Sequence, residues 1–363
     1  MIIDLVSRGR RRVALCAGTV MLCVAGGGAP AVAAPHRWTD MRLPALAKSM
    51  RVTAVNAFRP KDVWVFTADT RSGMITAAKP KAFHWNGVKW RRFTLPRRGQ
   101  VLEVAGRSRD FWTTVDSGGM SASGWNGLLR WKNGRWTVAK SLPRPMDGSY
   151  PHTGLTVLAR DDVRVFTRQE RQKPTRAWRY DGRTWKSKGF GRFLTAFEVL
   201  PGGRMWAADT TGGEDESFLY RYDGKRWKRQ AVPSSLGCPK DHCSRLIWFI
   251  EATSEKDLVV GYGDRLLKWN GAARSLFARG PLGGPVSDGA GGFWSVETDG
   301  IDLTWDGLVR VAPTGRLTTH PYRGPAKGIS LHGLAVAPKG PVFVYGSAKS
   351  STGRRFHLWR VSP

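Results

Sequence analysis

Short apolar stretches and glycine-containing turns alternate along most of this chain. Beyond the N-terminus, no long stretch keeps the 3.6-residue apolar period of an amphipathic helix. Most of the apolar stretches carry an aromatic residue, and an aspartate precedes several of them, as at residues 62–66, 110–112 and 162–166. Short apolar segments bounded by turn residues predict β-strands. We therefore expect an all-β fold.

One tight turn recurs at a nearly constant interval. Residues 131–136 read Trp-Lys-Asn-Gly-Arg-Trp, and Asn-Gly is preferred in a two-residue type I′ hairpin because both central residues need a positive φ. Similar turns lie at 86–87, 133–134, 181–182, 223–224, 270–271 and 314–315. A fixed period of this length indicates a repeat architecture.

Each repeat contains four predicted strands. The apolar stretch occurs seven times, a shorter apolar strand precedes each copy, and the tight turn joins two further strands. A four-stranded antiparallel sheet of about 46 residues that repeats radially is the blade of a β-propeller. We expect a seven-bladed β-propeller that occupies residues 34–363 as a single domain.

The two ends of the chain predict how the ring closes. The seventh repeat ends near residues 356–360, where its outer strand should still follow. Residues 37–39 read Arg-Trp-Thr, as do residues 135–137 of the second repeat. We expect the N-terminal strand to complete the seventh blade, which removes the exposed edges that an open ring would leave.

These repeats resemble a known group of proteins. Asp-Val-Trp-Val-Phe at 62–66, followed by an aromatic residue and Asn/Asp-Gly-x-x-Trp, resembles the repeats of secreted bacterial seven-bladed propellers. Residues 293–310 are similar to the two-component-regulator propeller repeat, whose family includes extracellular sensor domains and free-standing secreted proteins. The similar positions are scaffold positions, so the resemblance implies the fold and says little about function.

The N-terminus has the features of a signal peptide. An arginine cluster at residues 8–12 precedes an uncharged apolar run at 13–25, and Ala31-Val32-Ala33 fits an A-x-A cleavage site. We expect residues 1–33 to be a cleaved signal peptide and the protein to be secreted, extracellular and without a stable membrane anchor. An uncleaved anchor is the alternative.

Two cysteines remain if residues 1–33 are removed. Cys238 and Cys243 are close in sequence, and such a pair forms a disulfide in an oxidising compartment. A zinc site would need more ligands than His242, which lies between them. We expect a disulfide and no metal here.

The chain is strongly basic. It has 58 Lys and Arg against 28 Asp and Glu, a formal net charge of +30, and residues 1–33 hold only four Arg and one Asp. A surface of this charge associates with polyanions such as wall polymers, although charge can also serve solubility alone. The basic residues are scattered over every repeat, so we expect no specific nucleic-acid site.

The loops on one face of the propeller carry the candidate ligand-binding residues. Trp125 and Trp305 lie in near-identical Trp-Asn/Asp-Gly-Leu loops, and an exposed indole offers the flat apolar face and N–H group that suit a sugar ring. The alternative is that each indole packs on its own blade. Tyr150 and His242 lie in long connections between blades that should emerge on the same face.

Acidic loop residues are candidates of a second kind. Asp116 and Asp209 follow second strands and precede glycines, a pattern that Asx turns also explain. Glu-Asp-Glu at 214–216 offers carboxylate oxygens to Ca²⁺, with a solvated acidic loop as the alternative. We expect no other cofactor.

Three glutamates recur at similar places in the inner strands: Glu103, Glu198 and Glu251. Two carboxyl groups about 5 to 10 Å apart can perform glycosidic acid–base chemistry, and ion pairs with arginines between blades are the alternative. The sequence has no Gly-x-Ser-x-Gly elbow, His-Glu-x-x-His motif, phosphate-binding glycine loop or Rossmann fingerprint.

The sequence therefore predicts a monomeric, non-catalytic recognition module. Its expected partner is a cell-envelope glycan or another anionic polymer, bound through one face of the propeller. Two alternatives remain: a polysaccharide-active hydrolase or lyase that uses the carboxylates, and a protein-binding scaffold.

Overall fold

A computed structural model of the protein describes residues 37–44, 46, 50–69, 79–117, 125–143, 152–167, 174–192, 194–209, 218–230, 247–252, 254–262, 265–270, 273–279, 282–297, 307–322, 329–350 and 353–362. His36–Pro363 form one compact unit. In the ranges described, twenty-eight strands build seven antiparallel sheets of four strands. The predicted seven-bladed β-propeller is confirmed.

Each blade begins with an inner strand, and a second strand returns beside it. The inner strands of blades 1 to 7 are β2 (Met50–Arg59), β6 (Gln100–Arg107), β10 (His152–Ala159), β14 (Leu194–Val199), β18 (Ile247–Ala252), β22 (Leu282–Ser287) and β26 (Ile329–Val336). The second strands are β3 (Asp62–Asp69), β7 (Asp110–Asp116), β11 (Asp162–Thr167), β15 (Met205–Asp209), β19 (Asp257–Tyr262), β23 (Phe293–Glu297) and β27 (Val342–Ser350).

The third and outer strands form the outward half of each blade. The third strands are β4 (Lys81–Trp85), β8 (Asn126–Lys132), β12 (Arg176–Tyr180), β16 (Phe218–Tyr222), β20 (Arg265–Asn270), β24 (Gly307–Val311) and β28 (Gly353–Ser362). The outer strands are β5 (Trp90–Thr94), β9 (Arg135–Ser141), β13 (Trp185–Gly189), β17 (Trp227–Gln230), β21 (Ala273–Arg279), β25 (Leu317–Pro321) and, for blade 7, β1 (Arg37–Asp40).

Second strands are buried on both faces because neighbouring blades pack face to face. In β3, residues 63–66 are all fully buried. The Trp64 ring lies 4.9 Å from the ring of Trp131, which belongs to the third strand of the next blade. The same kind of contact joins Trp206 to Trp269 at 5.8 Å. The aromatic residues that recur in the sequence therefore hold adjacent blades together.

The Asn-Gly turn of blade 2 has the predicted geometry. Lys132 pairs with Arg135, so Asn133 and Gly134 are the two central residues of the hairpin. Their φ angles are 53° and 76°. Both are positive, as a type I′ turn requires.

The corresponding dipeptide of blade 1 is placed differently, which corrects the expectation of one shared turn type. Asn86 directly follows Trp85, which pairs with Trp90 across a four-residue connection. The Asn86 Oδ1 atom accepts hydrogen bonds from the backbone N–H groups of Val88 and Lys89, at 3.1 and 2.9 Å. An Asx turn thus replaces the type I′ turn. Blades 3 and 4 use Asp181 and Asp223 in the same way.

The N-terminal strand closes the ring, as predicted. β1 pairs with β28 in antiparallel register, with Trp38 opposite Val361 and Asp40 opposite Trp359. The Trp38 ring lies 4.9 Å from the ring of Tyr322 at the end of blade 6. Blade 7 is therefore built from both ends of the described chain.

Helix is almost absent from the described ranges. A single 3₁₀ turn, Pro201–Gly203, links β14 to β15. No helix in these ranges combines the length and the apolar character that crossing a lipid bilayer would require.

Candidate functional site

One position of the inner strand sits at the same level in successive blades. In blade 1 it is Asn56, which pairs with Trp64 of the second strand, and in blade 4 it is Glu198, which pairs with Trp206. We call it the inner position. Its occupants in blades 1 to 5 are Asn56, Ala105, Thr156, Glu198 and Glu251.

Two of the predicted glutamates are brought together at this position. Burial raises the pKa of Glu198 to about 8, and the neighbouring carboxylate of Glu251 contributes to that rise. Burial also raises the pKa of Glu251, against a hydrogen bond from Ser287 that lowers it and the charge of Asp288 that raises it. We call Glu198, Glu251 and Asp288 the carboxylate row, which crosses blades 4, 5 and 6.

Glu103 lies apart from this row, on blade 2. Its carboxylate accepts a hydrogen bond from the backbone N–H of Leu155 on blade 3, and burial raises the pKa of Glu103 to about 7. Its Oε2 atom has no hydrogen-bond partner among the described protein atoms. No ion pair with an arginine is found for Glu103, Glu198 or Glu251 within the described part of the chain.

A cavity of about 790 Å³ opens where the inner strands of blades 7, 1 and 2 end. Arg59 is the last residue of β2 and Arg107 the last of β6, and Arg109 follows in the turn to β7. The cavity is also lined by Asn56 and the apolar side chain of Phe58. We call it the arginine cavity.

The acids nearest to the arginine cavity are engaged elsewhere. Asp62 contacts His84 Nε2 at 2.9 Å and accepts a hydrogen bond from the hydroxyl of Ser108. Asp110 accepts two hydrogen bonds of 2.7 Å from Arg130. Ser108 itself lines the cavity, so Asp62 lies at the cavity wall, but no acidic residue is among the described residues that line it.

The arginines of this cavity are absent from the candidates that the sequence suggested. A sequence pattern that points to these arginines does exist, because Arg-x-x-Asp occurs at the start of the second strand in two consecutive repeats. Residues 59–62 read Arg-Pro-Lys-Asp, and residues 107–110 read Arg-Ser-Arg-Asp. What the sequence does not show is that the aspartate of each pattern is occupied by other partners.

Six cations on the outer strands form a second basic feature. Each of these strands starts with a half-buried tryptophan, and exposed basic residues follow it. We call them the cationic rim: Arg91 and Arg92 of β5, Lys186 and Lys188 of β13, and Lys228 and Arg229 of β17. Lys186 lies 3.3 Å from Asp181 and Lys228 3.9 Å from Asp223. Exposed ion pairs of this kind are weak, so the rim keeps its excess positive charge.

A cleft on the outside of the ring combines aromatic and basic side chains. It has a volume of about 790 Å³ and lies between blade 7 and blade 1. Trp85 and Trp90 line it together with Arg37, Arg42 and Lys89. We call it the outer cleft.

Trp125, a predicted sugar-binding residue, is half-buried against its own blade. Its Nε1–H group donates a hydrogen bond to Ser141 Oγ at 3.1 Å. The guanidinium of Arg97 lies 5.6 Å from the centre of the indole ring. The indole thus has a packing role, and its ring also carries a cation–π contact.

The two predicted aspartates are buried. Asp116 is 3% exposed, and Asp209 is fully buried with a carboxylate oxygen 3.0 Å from Arg192 Nη1. The guanidinium of Arg192 also stacks over the ring of Tyr220, at 3.8 Å from its centre. Asp209 therefore anchors the end of β15 within its blade.

The remaining candidates lie outside the described residues. They are Tyr150, His242, Trp305, the acidic segment 214–216 and the cysteines Cys238 and Cys243. Among the residues that the structure does describe, no three His, Cys, Asp or Glu side chains come together as a metal site.

No protein family profile matches the sequence, and no curated protein matches it either. Solved propellers are similar in structure. YCF48 from Cyanidioschyzon merolae has a TM-score of 0.55 at 14% identity, over 90% of this chain and 98% of that one. A catalytically inactive virginiamycin B lyase from Staphylococcus aureus with quinupristin has a TM-score of 0.57 at 14% identity, over 90% and 99%.

A third structural neighbour comes from a multiprotein assembly. A chain of the mitotic checkpoint complex has a TM-score of 0.53 at 11% identity, over 95% of this chain and 100% of that one. A binding or scaffold role is compatible with these neighbours. At such identities the likeness shows the fold alone, and that fold is the seven-bladed β-propeller.

Proposed function

We propose that the protein is an exported recognition module that binds anionic polymers of the bacterial cell envelope, including glycans. The observation that carries this proposal is the cationic rim. Exposed Lys and Arg stand on the outer strands of several blades, while the tryptophans of the same strands are half-buried.

The rim suits a long, flexible ligand. Its cations are spread over blades 1, 3 and 4, so a compact ligand cannot reach all of them. Each exposed contact contributes little on its own, whereas many contacts to one polymer add through effective concentration. The outer cleft adds two tryptophans next to the cations of β5, and indole faces are suited to sugar rings.

Export is part of the same proposal. Residues 1–33 act as the signal peptide, and Cys238 and Cys243 form a disulfide after secretion. Trp305, Tyr150 and His242 contribute selectivity from the loops of one face. The resemblance of the repeats to secreted bacterial propellers supports this location.

The test uses isolated bacterial cell walls, before and after acid removal of their anionic polymers. Untreated walls are expected to sediment the protein at low ionic strength and to release it at about 0.5 M salt, where exposed charges are screened. Stripped walls are expected to bind at least about tenfold less. Binding that is indifferent to salt, or equal on stripped walls, would contradict the proposal.

A variant pair locates the binding surface. Changing Lys186, Lys188, Lys228 and Arg229 to Gln removes four rim charges, and we expect wall affinity to fall about tenfold or more. The matched control exchanges each Lys for Arg and Arg229 for Lys, which keeps the charge and should keep most of the binding. Equal binding by both variants would exclude the rim.

A second candidate function rests on the carboxylate row. A carboxyl group that stays protonated near neutral pH can act as a general acid, and the pKa of Glu198 is raised to about 8 beside a second carboxylate. The protein would then hydrolyse or eliminate polysaccharide. Turnover that disappears in Glu198→Gln and Glu251→Gln variants would support this activity, and unchanged turnover would exclude these residues.

A further inference from the structure

We propose that the arginine cavity is a binding site for a phosphorylated sugar. This site goes beyond the polymer binding of the rim, because it is a discrete pocket at the end of the inner strands and takes one compact anion. It lies where the turns from inner to second strands emerge.

The charge of the cavity calls for a multiply charged anion. Arg59, Arg107 and Arg109 line it, and its described lining contains no acid. None of the three has an ion-pair partner in the described part of the chain. Guanidinium groups bind phosphate oxygens in paired hydrogen bonds. A dianionic phosphate therefore neutralises this cluster better than a single carboxylate.

The acids that could have neutralised the arginines are held in place by other groups. Asp62 is occupied by His84 and by the hydroxyl of Ser108. Asp110 takes two hydrogen bonds from Arg130, whose guanidinium also lies 4.7 Å from the centre of the Trp112 ring. Ser108 lines the cavity, so Asp62 lies at its wall, but its carboxylate is engaged by His84 and Ser108 and forms no ion pair with the three arginines in the described part of the chain.

The size and the lining of the cavity fit a sugar. A volume of about 790 Å³ is within the range of small-molecule pockets. Phe58, Val104 and Val336 provide apolar lining, and Asn56 provides an amide for sugar hydroxyls. The Phe58 ring packs 5.0 Å from the ring of Phe111, so the apolar wall is supported from behind.

The strand ends that carry the arginines are tightly constrained. Gly106 precedes Arg107 with φ of 129°, and a Cβ there would lie 2.8 Å from the Cα of Phe111. Only glycine permits this close approach of the two strands. Arg59 pairs with Asp62 after a register shift, and Arg107 pairs with Asp110 without one, so each arginine stands opposite the first residue of the second strand on its blade.

The test is titration calorimetry of the protein with three probes: glucose 1-phosphate, inorganic phosphate and glucose. We expect glucose 1-phosphate to bind at least about fivefold more tightly than inorganic phosphate, because only the sugar uses the apolar wall. Glucose alone is expected to show no binding. Equal affinity for glucose 1-phosphate and inorganic phosphate, or binding of glucose, would overturn the assignment.

A variant and its control connect the binding to these residues. Arg59→Gln with Arg107→Gln is expected to lower the affinity for glucose 1-phosphate at least about tenfold, since each Arg–phosphate contact is charge-assisted. Arg91→Gln with Arg92→Gln removes the same charge from the rim and should leave that affinity within about twofold. Arg109→Gln alone is a milder variant for the case that the double variant does not fold.

The possible outcomes separate this site from the rim. Loss of sugar-phosphate binding with intact wall binding in the cavity variants supports the cavity and leaves the rim in place. Weaker wall binding by the Arg91→Gln/Arg92→Gln variant, together with unchanged binding of glucose 1-phosphate, supports two separate sites. Sugar-phosphate affinity that is unchanged in both Arg59→Gln/Arg107→Gln and Arg109→Gln would overturn the cavity assignment.

Discussion

The arginine cavity and the carboxylate row are built on the same repeat, but the first carries basic side chains and the second acidic ones. Asn56 of blade 1 and Glu198 of blade 4 occupy the same inner position, each opposite a buried tryptophan of the second strand. The residue beside the turn is Arg59 in blade 1, opposite Asp62, whereas in blade 4 it is Leu200, whose N–H group donates a hydrogen bond to the carbonyl oxygen of Arg204. We call blades 7, 1 and 2, around the arginine cavity, and blades 4 to 6, around the carboxylate row, the two sectors. Two or three residues per blade thus decide whether a sector carries basic or acidic side chains, and the scaffold does not change.

The counterions are arranged in opposite ways in the two sectors. Beside the arginine cavity, Asp110 is taken by Arg130 and lies 3.6 Å from Arg160. Beside the carboxylate row, the cations are taken instead, because Arg204 and Arg221 both pair with Glu255. Within the row, Asp288 lies 3.7 Å from Arg310, whereas Glu198 and Glu251 have no ion-pair partner in the described part of the chain. An ion pair within a blade uses a counterion that could have paired with a neighbouring group, and that neighbouring group is then left without a partner.

The first prediction uses the fact that only one of the two sectors lies at the ring closure. Trp38→Ala removes a half-buried indole that packs on Tyr322 and Trp359, and we expect a loss of about 2 to 4 kcal/mol in the free energy of unfolding. Arg37→Ala, at an exposed position of the same strand, should cost less than about 0.5 kcal/mol. Denaturant unfolding measures both values.

Hydrogen exchange then tells whether the two sectors respond differently. In Trp38→Ala, the amides of β26 and β2 beside the arginine cavity should lose more protection than those of β14 and β18 beside the carboxylate row. The reason is that blade 7 contains the closure and lines the cavity through Val336. Equal loss in all four strands would mean that the ring opens as one unit.

The second prediction is a pH dependence that comes from the carboxylate row. Glu198 has a pKa of about 8 in the folded protein against 4.5 as the ordinary value, so the folded state holds a proton that the unfolded chain releases. The contribution of Glu198 to stability is therefore full below about pH 4.5 and falls as the pH rises towards 8, by up to about 1.4 kcal/mol per pH unit. Glu198→Gln should reduce the slope between about pH 5 and pH 8, as measured by denaturant unfolding at several pH values, and the part that remains comes from Glu103 and Glu251, whose pKa values are also raised.

Glu255→Gln is the control for that slope. Glu255 lies in the same part of the ring as Glu198, but its carboxylate is paired with Arg204 and Arg221. The variant should lose stability by a similar amount at both ends of this pH range. If Glu198→Gln keeps the slope of the unchanged protein, the carboxylate row is not its source.

The fold could be predicted because its signals are repeated. One Asn-Gly turn between two tryptophans is weak, but seven apolar stretches at blade spacing, with Arg-Trp-Thr at both 37–39 and 135–137, leave one architecture. The turn type was not predictable from the dipeptide alone. The Asn86 turn is shifted by one residue relative to that at Asn133, and only strand register reveals the shift.

The site was predictable only in part, for a physical reason. The sequence indicated that Glu103, Glu198 and Glu251 recur at similar places in inner strands, but only the structure shows that Glu198 and Glu251 occupy equivalent positions of adjacent blades and that Glu103 lies apart. The arginine cavity depends on which acids are already paired. Asp62 and Asp110 stand close to Arg59 and Arg107 in the sequence, yet their carboxylates bind other groups. Side-chain pairing of this kind is a property of the folded chain.

The third prediction places the glutamate that blade 4 has at the inner position into the same position of blade 1. Asn56→Glu places a carboxylate at the inner position of blade 1, where Arg59, Arg107 and Arg109 line the cavity. We expect it to reduce the affinity for glucose 1-phosphate about tenfold, because the new charge neutralises an arginine and repels the phosphate. Calorimetry near neutral pH measures the change.

Thr156→Glu is the matched control, because it introduces the same residue at the inner position of blade 3, which is not among the residues lining the cavity. It should leave the sugar-phosphate affinity within about twofold. Thr156 stands opposite Arg164, which already pairs with Asp162, so the added carboxylate draws no arginine away from the cavity. If both variants weaken binding equally, the anion responds to the net charge of the ring, and the difference between the two sectors does not control recognition.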